Sequence, residues 1–269
     1  MRPHLLVNEI DFPSLPKMFG HSSQIELIAG PCAVENISQM EEVAKELKNK
    51  NVRFMRGGAY KPRTSPYDFQ GLGIEGLKML KFVCEKYSLY SVSEVMSPEM
   101  MEAATKYVDI IQIGSRNMHN TVLLREAGKL DHPILLKRGM MSTLREFLLA
   151  AEYIVKEGNK KIVLCERGIK TLEDSTRNTL DISSIAIIKN ETSLPVIVDI
   201  SHSLGRKDII HTVARALIAL GIDGLMLEVH NNPAVALSDS QQQLSIEEFR
   251  LFITNLFEYN NKAITVREA

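Results

Sequence analysis

Eight short apolar runs alternate with eight amphipathic stretches along this chain, and that alternation constrains the fold more than any single residue does. The runs at 25–30, 52–56, 89–95, 109–113, 133–138, 161–166, 195–200 and 224–229 are rich in the β-branched and aliphatic residues that favour strands. The stretches at 37–49, 74–87, 98–107, 120–128, 142–157, 181–190, 206–220 and 246–258 carry apolar residues at three- and four-residue spacing, the period of a helix with one buried face. In the fifth, Leu144, Phe147, Leu148, Ala151, Ile154 and Val155 form one stripe. Such an order predicts an α/β chain folded as a (β/α)8 barrel over residues 25–269, with residues 1–24 as a short N-terminal extension. A doubly wound open sheet is the structural rival, but the Gly-x-Gly-x-x-Gly turn usual after its first strand is absent.

Barrel enzymes work at the C-terminal ends of their strands, and polar residues gather there in this sequence. Lys61-Pro62-Arg63-Thr64-Ser65-Pro66-Tyr67 sets two cations and two hydroxyls on a loop stiffened by prolines. Arg116 follows Ile113-Gly114-Ser115, Lys137-Arg138 follows Ile134-Leu135-Leu136, and Arg167 follows Val163-Leu164-Cys165-Glu166. Six cations on one rim repel one another unless an anion compensates them, so the rim predicts a site for a multiply charged anion. The net charge of −1 excludes non-specific binding to nucleic acid or to a membrane surface, and makes the rim a local concentration. No apolar run approaches the roughly 18 residues of a membrane span, and the start Met1-Arg2-Pro3-His4-Leu5 lacks a signal-peptide core, so the cytoplasm is the expected location. Cys32, Cys84 and Cys165 are too few and too scattered for a disulfide framework, and Cys84 reads as a buried structural thiol.

Cys32 after the first run, His202 after the seventh, Glu228 at the end of the eighth and Asp239 in the following loop make a mixed donor set suited to a divalent first-row transition ion. Period-two alternation places His202 on the face of Val196, Val198 and Ile200, and Glu228 on that of Gly224 and Met226. Taken singly, Cys32 also fits a core thiol, Glu228 a surface acid, and Asp239, between Ser238 and Ser240, a turn former. His230 is an alternative ligand, whereas His211 lies in a helical stretch and reads as half-buried or surface.

Several long motifs, in order, resemble those of 3-deoxy-D-arabino-heptulosonate 7-phosphate (DAHP) synthases. They are Gly30-Pro31-Cys32-Ala33-Val34-Glu35, the loop from Lys61 to Gly71, Leu136-Lys137-Arg138-Gly139, Cys165-Glu166-Arg167-Gly168, Ser201-His202-Ser203-Leu204-Gly205-Arg206, Glu228-Val229-His230 and Ala236-Leu237-Ser238-Asp239. The resemblance is to the type I-beta branch, which also takes in 3-deoxy-D-manno-octulosonate 8-phosphate synthase, and spans about residues 25–258. It implies a condensation of phosphoenolpyruvate with erythrose 4-phosphate that gives DAHP and phosphate, the first step of the shikimate pathway. It further implies metal ligation by Cys32, His202, Glu228 and Asp239, with manganese, iron, cobalt, zinc or cadmium as the ion. Phosphoenolpyruvate would sit on Lys61, Arg116, Lys137 and Arg167 with help from the Gly114-Ser115 backbone, and erythrose 4-phosphate on Arg63, Thr64 and Ser65 together with Arg206. Lys137 would donate or accept a proton, with Arg138 and Arg167 crowding it toward its neutral form. Lys137, Cys32 and His202 are thus the residues closest to the chemistry, and the family implies a homo-oligomer, a dimer or tetramer.

Two departures stand out. Ile200 replaces the proline frequent in the family's Asp-Pro-Ser-His segment, and only about 24 residues precede the first run, too few for the appended regulatory domain of many relatives, so feedback inhibition by aromatic end products is not expected. The octulosonate synthase, which takes arabinose 5-phosphate, typically reads Lys-Ala-Asn-Arg-Ser-Ser where this chain has Lys61-Pro62-Arg63-Thr64-Ser65. A catalytically inactive barrel that binds phosphometabolites, and a metal-dependent aldolase of another barrel family, are the remaining alternatives.

Overall fold

The computed structural model describes residues 5–8 and 25–267, with side chains through Leu256. Eight parallel strands run β1 (Glu26–Gly30), β2 (Phe54–Arg56), β3 (Tyr90–Val95), β4 (Ile110–Ile113), β5 (Ile134–Lys137), β6 (Ile162–Glu166), β7 (Val196–Asp199) and β8 (Gly224–His230), each paired with the next. The circle closes by pairing β1 with β8 in the register Glu26↔Gly224 through Gly30↔Glu228. This is the expected barrel. β4 through β8 are buried at every position, because their residues face either the barrel interior or the surrounding helices.

The outer ring comprises α1 (Ile37–Asn49), α2 (Ile74–Tyr87), α3 (Pro98–Ala104), α4 (Thr121–Lys129), α5 (Leu144–Lys156), α6 (Ile182–Glu191), a short α7 (Ile200–Leu204), α8 (Ile210–Ala219) and α9 (Ile246–Arg267). Local chemistry starts them. Asn36, Ser97, Asn120 and Asp181 each accept a backbone N–H from the first turn of the helix they precede. Thr143 and Glu146 form a reciprocal capping box at α5, whose Phe147, Leu148, Ala151, Ile154 and Val155 are buried as the stripe predicts.

The structure differs from expectation at two places, the end of the seventh run and a short ninth strand. The seventh run stops being a strand at Asp199, and Ile200 is already helical: the Asp199 carboxylate accepts the His202 N–H at 3.0 Å and caps α7. A two-residue strand β9 (Leu244–Ser245) pairs beside Val229 and His230 of β8. Residues 1–4 and 9–24 of the expected N-terminal extension lie outside the described residues; Leu6–Asn8 forms a single 3-10 turn in which Val7 is buried and the Leu6 and Val7 amides donate to Glu152 of α5, at 3.0 and 3.1 Å.

Candidate active site

Four donor atoms, from Cys32, His202, Glu228 and Asp239, lie within 4.8 Å of one another at the C-terminal mouth of the barrel. The β1–β8 register puts Glu228 beside Gly30, two residues before Cys32, which is why residues so distant in sequence meet. α7 supplies His202, and the loop after β8 supplies Asp239 with φ of +50°, a left-handed conformation that aspartate tolerates better than most residues. Cys32 Sγ lies 3.4 Å from Asp239 Oδ2, and His202 Nε2 lies 3.5 Å from both Glu228 Oε1 and Asp239 Oδ2. Metal bonds of about 2.0–2.3 Å set neighbouring tetrahedral donors roughly 3.4–3.8 Å apart, and these three separations match that spacing, so the donors could close on one ion.

Each of the three acidic members of the set, the thiol and the two carboxyls, touches a basic side chain. Lys61 Nζ donates to Cys32 Sγ at 3.0 Å, Arg56 Nη1 to Glu228 Oε1 at 2.8 Å, and Arg177 Nη1 lies 3.2 Å from Asp239 Oδ2. The histidine instead has a carboxylate behind it: Asp199 Oδ2 is 2.8 Å from His202 Nδ1, close but out of line for a well-formed hydrogen bond. Gln242 donates to Glu228 and, at 3.3 Å, to Asp239, while Gln243 accepts from the Cys32 N–H at 3.0 Å. These contacts set the ionisation of the group. Burial, reinforced by Glu228 and opposed by Lys61, pushes the Cys32 thiol up to about 12, so it ionises only when a cation arrives. Burial would raise Glu228 and Asp239 as well, but His202 with Arg56 holds the first below the usual carboxylate range, and His202 with Arg177 holds the second far below it.

A cavity of about 150 Å³ opens directly onto this cluster. His202 and Asp239 line it together with Lys61, Arg63, Arg116, Lys137, Arg167 and Arg177, and Thr64 and Ser115 add hydroxyls. Lys137, at the end of β5, is paired with the fully buried Asp199, whose carboxyl, despite burial, is held well below its ordinary range by His202 and Lys137. Arg167 is buried with one long hydrogen bond, 3.4 Å to the Gly168 carbonyl, and desolvation lowers the pKa of its guanidinium. Arg63 is held by the Phe69 carbonyl at 2.9 Å. Gly114 sits buried behind Ser115, where a Cβ would come within 1.9 Å of the Glu94 carboxylate. Ser65 is set back from the cavity, its hydroxyl accepting the Tyr67 N–H at 3.2 Å.

Several expectations need correction. Arg138 does not join the rim: it points behind the barrel wall to Glu166, Asp181 and the Ser142 carbonyl at 2.8, 3.0 and 3.0 Å, so it does not crowd Lys137. Consecutive strand residues face opposite sides, and Lys137 already takes the inner one. Arg206 lines an adjoining open depression that shares Arg177 and Asp239 with the cavity, and pairs with Asp208. Glu228 is fully buried, which rules out a surface acid. His230 faces Glu35 at 3.4 Å and is not part of the four-donor group. His202 reaches the site through α7 and not through strand alternation. Sequence reasoning missed Arg56, Asp199, Arg177 and Gln242; the available signal was a charge inside an apolar strand run for the first two. A larger depression of about 710 Å³ opens at the opposite, N-terminal end of the barrel, near Ser91, Asp109 and His132, away from the donor cluster.

Known proteins resemble this chain in sequence and in fold. Residues 9–264 match the model of the DAHP synthetase I family. A phospho-2-dehydro-3-deoxyheptonate aldolase of Thermotoga maritima is 51% identical over 230 residues, covering 86% of this chain and 68% of the relative. A 2-dehydro-3-deoxyphosphooctonate aldolase of Syntrophotalea carbinolica is 30% identical over 250 residues, covering 86% of this chain and 89% of the relative. The crystal structure of the Thermotoga maritima DAHP synthase superposes with a TM-score of 0.86 at 48% identity, over 89% of this chain and 70% of that one.

Proposed function

The chain belongs to the DAHP synthetase I family and is a transferase that condenses phosphoenolpyruvate with erythrose 4-phosphate, and we propose that it does so in the cavity above Cys32, His202, Glu228 and Asp239. The products are DAHP and phosphate, at the entry to aromatic biosynthesis. One observation supports the site assignment: six cations line one small cavity onto which two of the four donors, His202 and Asp239, open, a setting suited to phosphorylated substrates beside a divalent ion.

Lys61, Arg116, Lys137 and Arg167 hold phosphoenolpyruvate, whose phosphate and carboxylate call for several fixed cations. Arg63 and Thr64, with Ser65 behind them, take the phosphate of erythrose 4-phosphate. Cys32, His202, Glu228 and Asp239 hold the ion, which when bound supplies Lewis-acid polarisation of a carbonyl oxygen. Manganese, iron, cobalt, zinc and cadmium all suit a thiolate, imidazole and carboxylate set. The aldehyde carbon of the sugar is attacked by carbon 3 of phosphoenolpyruvate, water adds at carbon 2, and phosphate departs with cleavage of its carbon–oxygen bond. Arg167, buried in the cavity wall, and Arg116 on its rim meet the charge growing on the leaving phosphate. Lys137 Nζ, paired with Asp199 at the cavity wall, is positioned to exchange a proton with the reacting groups. Its action as a homo-oligomer follows the family resemblance, and its action in the cytoplasm follows its likeness to biosynthetic enzymes.

The test is phosphate release from phosphoenolpyruvate with either aldose phosphate. Catalytic efficiency should be higher with erythrose 4-phosphate than with arabinose 5-phosphate, and Arg63→Ala should raise KM for erythrose 4-phosphate more than for phosphoenolpyruvate. Preference for the five-carbon sugar would reverse the assignment in favour of an octulosonate synthase.

A further inference from the structure

Val235 and Leu237, the large apolar side chains of the loop after β8, are 63% and 53% exposed, so packing does little to hold the segment that delivers Asp239. A buried carboxylate holds it instead. Glu35, three residues beyond Cys32, accepts the Leu237 N–H through Oε1 at 2.9 Å, although the two residues are 202 apart in the chain. The Glu35 side chain is only 8% exposed, and its backbone is fixed from α1. Gln39 Oε1 accepts the Glu35 N–H at 3.0 Å while Gln39 Nε2 donates to the Ala33 carbonyl at 3.2 Å. Behind the carboxylate lies the buried His230, its Nε2 3.4 Å from the same Oε1, close but out of line for a well-formed hydrogen bond. His230 Nδ1 accepts the Asn232 N–H at 2.9 Å, which leaves the ring proton on Nε2, toward Glu35.

Asp239 stands in need of such support, because a φ of +50° is a conformation that a residue with a side chain keeps only where its surroundings enforce it. Between the clasped amide and Asp239 lies Ser238, whose carbonyl accepts from Gln243 Nε2 at 2.7 Å and whose hydroxyl is 3.1 Å from Cys32 Sγ. Glu35 thus fastens the segment that carries Cys32 to the segment that carries Asp239, at an amide two residues from the second ligand. We propose that Glu35, braced by His230, is a positioning residue that holds the 237–239 backbone where Asp239 can reach the ion. The inference rests on the ligand assignment made above. Two effects of the carboxylate are separable: its negative charge attracts a cation wherever the loop lies, whereas the bond to Leu237 needs only an acceptor oxygen. Glutamine keeps that oxygen and removes the charge.

The test is cobalt(II) binding to metal-stripped protein, read by the absorption band of a thiolate–cobalt bond, by the weaker bands that report the rest of the coordination, and by Kd. Wild-type protein should bind one equivalent with the thiolate band. Glu35→Ala should keep that band, since Cys32 is untouched, but alter the weaker bands and bind about 10–100-fold less tightly. Glu35→Gln should stay within about threefold of wild type. In an Asp239→Ala background, Glu35→Ala should weaken binding by less than about threefold more, because a residue that acts through Asp239 has nothing left to position. Circular dichroism melts establish which variants are folded; if Glu35→Ala is not, Glu35→Asp, one methylene short of the Leu237 amide, takes its place. Unchanged cobalt binding in a folded variant, Glu35→Gln as weak as Glu35→Ala, or full additivity with Asp239→Ala overturns the positioning role and leaves the ligand assignment intact. Absence of the thiolate band from the wild type overturns the ligand assignment and this inference with it.

Discussion

A buried thiol ligates only after it gives up its proton, and the surroundings of Cys32 make that cost visible. Its pKa is pushed up to about 12 by burial and then by Glu228, so the thiol is protonated at neutral pH in the absence of a cation. Binding of a divalent ion should accordingly release a proton and tighten as pH rises, by up to about tenfold per pH unit for one proton. Calorimetry in buffers of different ionisation enthalpy reads that release, and a buffer-independent heat would contradict it. Arg167→Ala removes a buried cation that faces the cavity, and should cost about 1.5–3 kcal/mol, roughly 10–150-fold in kcat/KM. Arg206→Ala, at a residue paired with Asp208 outside the cavity, should change kcat/KM by less than about twofold. Steady-state kinetics of the two variants separates the cavity from its surroundings. All four proposed ligands were legible because thiol, imidazole and carboxylate recur just past strand ends, whereas Arg56 and Asp199 hid inside runs read for their apolar neighbours. Arg138 was misread although its own neighbour carried the answer, since two adjacent strand residues cannot both face the barrel interior.

Among the elements, α6 shows how a cap and a charge pair combine. Asp181 accepts the Ser184 N–H at 3.1 Å and pairs with Arg138 at 3.0 Å. Burial acts to raise its pKa, but the Ser184 hydrogen bonds and Arg138 prevail and hold it below the ordinary aspartate value. A depressed folded-state pKa adds stability that is present above the unfolded value of about 3.9 and is lost as pH falls through the folded one. Asp181→Ala should cost about 1 kcal/mol near neutrality from the cap, plus whatever the partly exposed pair adds. That penalty should shrink between pH 5 and pH 2, as urea unfolding at each pH would measure. An equal penalty at both would show that the carboxylate's charge contributes nothing. α7 escaped the sequence because five residues are too short for helical periodicity to register, and because Val196, Val198 and Ile200 continue a strand pattern that the Asp199 cap interrupts. α5, with thirteen residues, a capping box and an unbroken stripe, was legible almost to its ends.

At the scale of the molecule, the barrel was readable because its strand and helix periods alternate eight times, and closure through β1 and β8 was not separately encoded but follows from that count. β9 is two residues long and left no pattern to read. The closed sheet and its apolar core do not depend on the ligand cluster, so a chelator should leave the protein folded. An ion at 100 times its dissociation constant stabilises by about 2.7 kcal/mol, which at this size corresponds to roughly 5–10 °C in Tm; scanning calorimetry with and without chelator checks this, and loss of the cooperative transition on chelation would contradict it. The most direct measurement is titration of metal-stripped enzyme with manganese(II) while phosphate release from phosphoenolpyruvate and erythrose 4-phosphate is followed. Activity should rise from near zero to a plateau at one equivalent per chain, and Cys32→Ala should stay near zero over the same range. Full activity in the stripped enzyme, or in Cys32→Ala, would contradict the site described here.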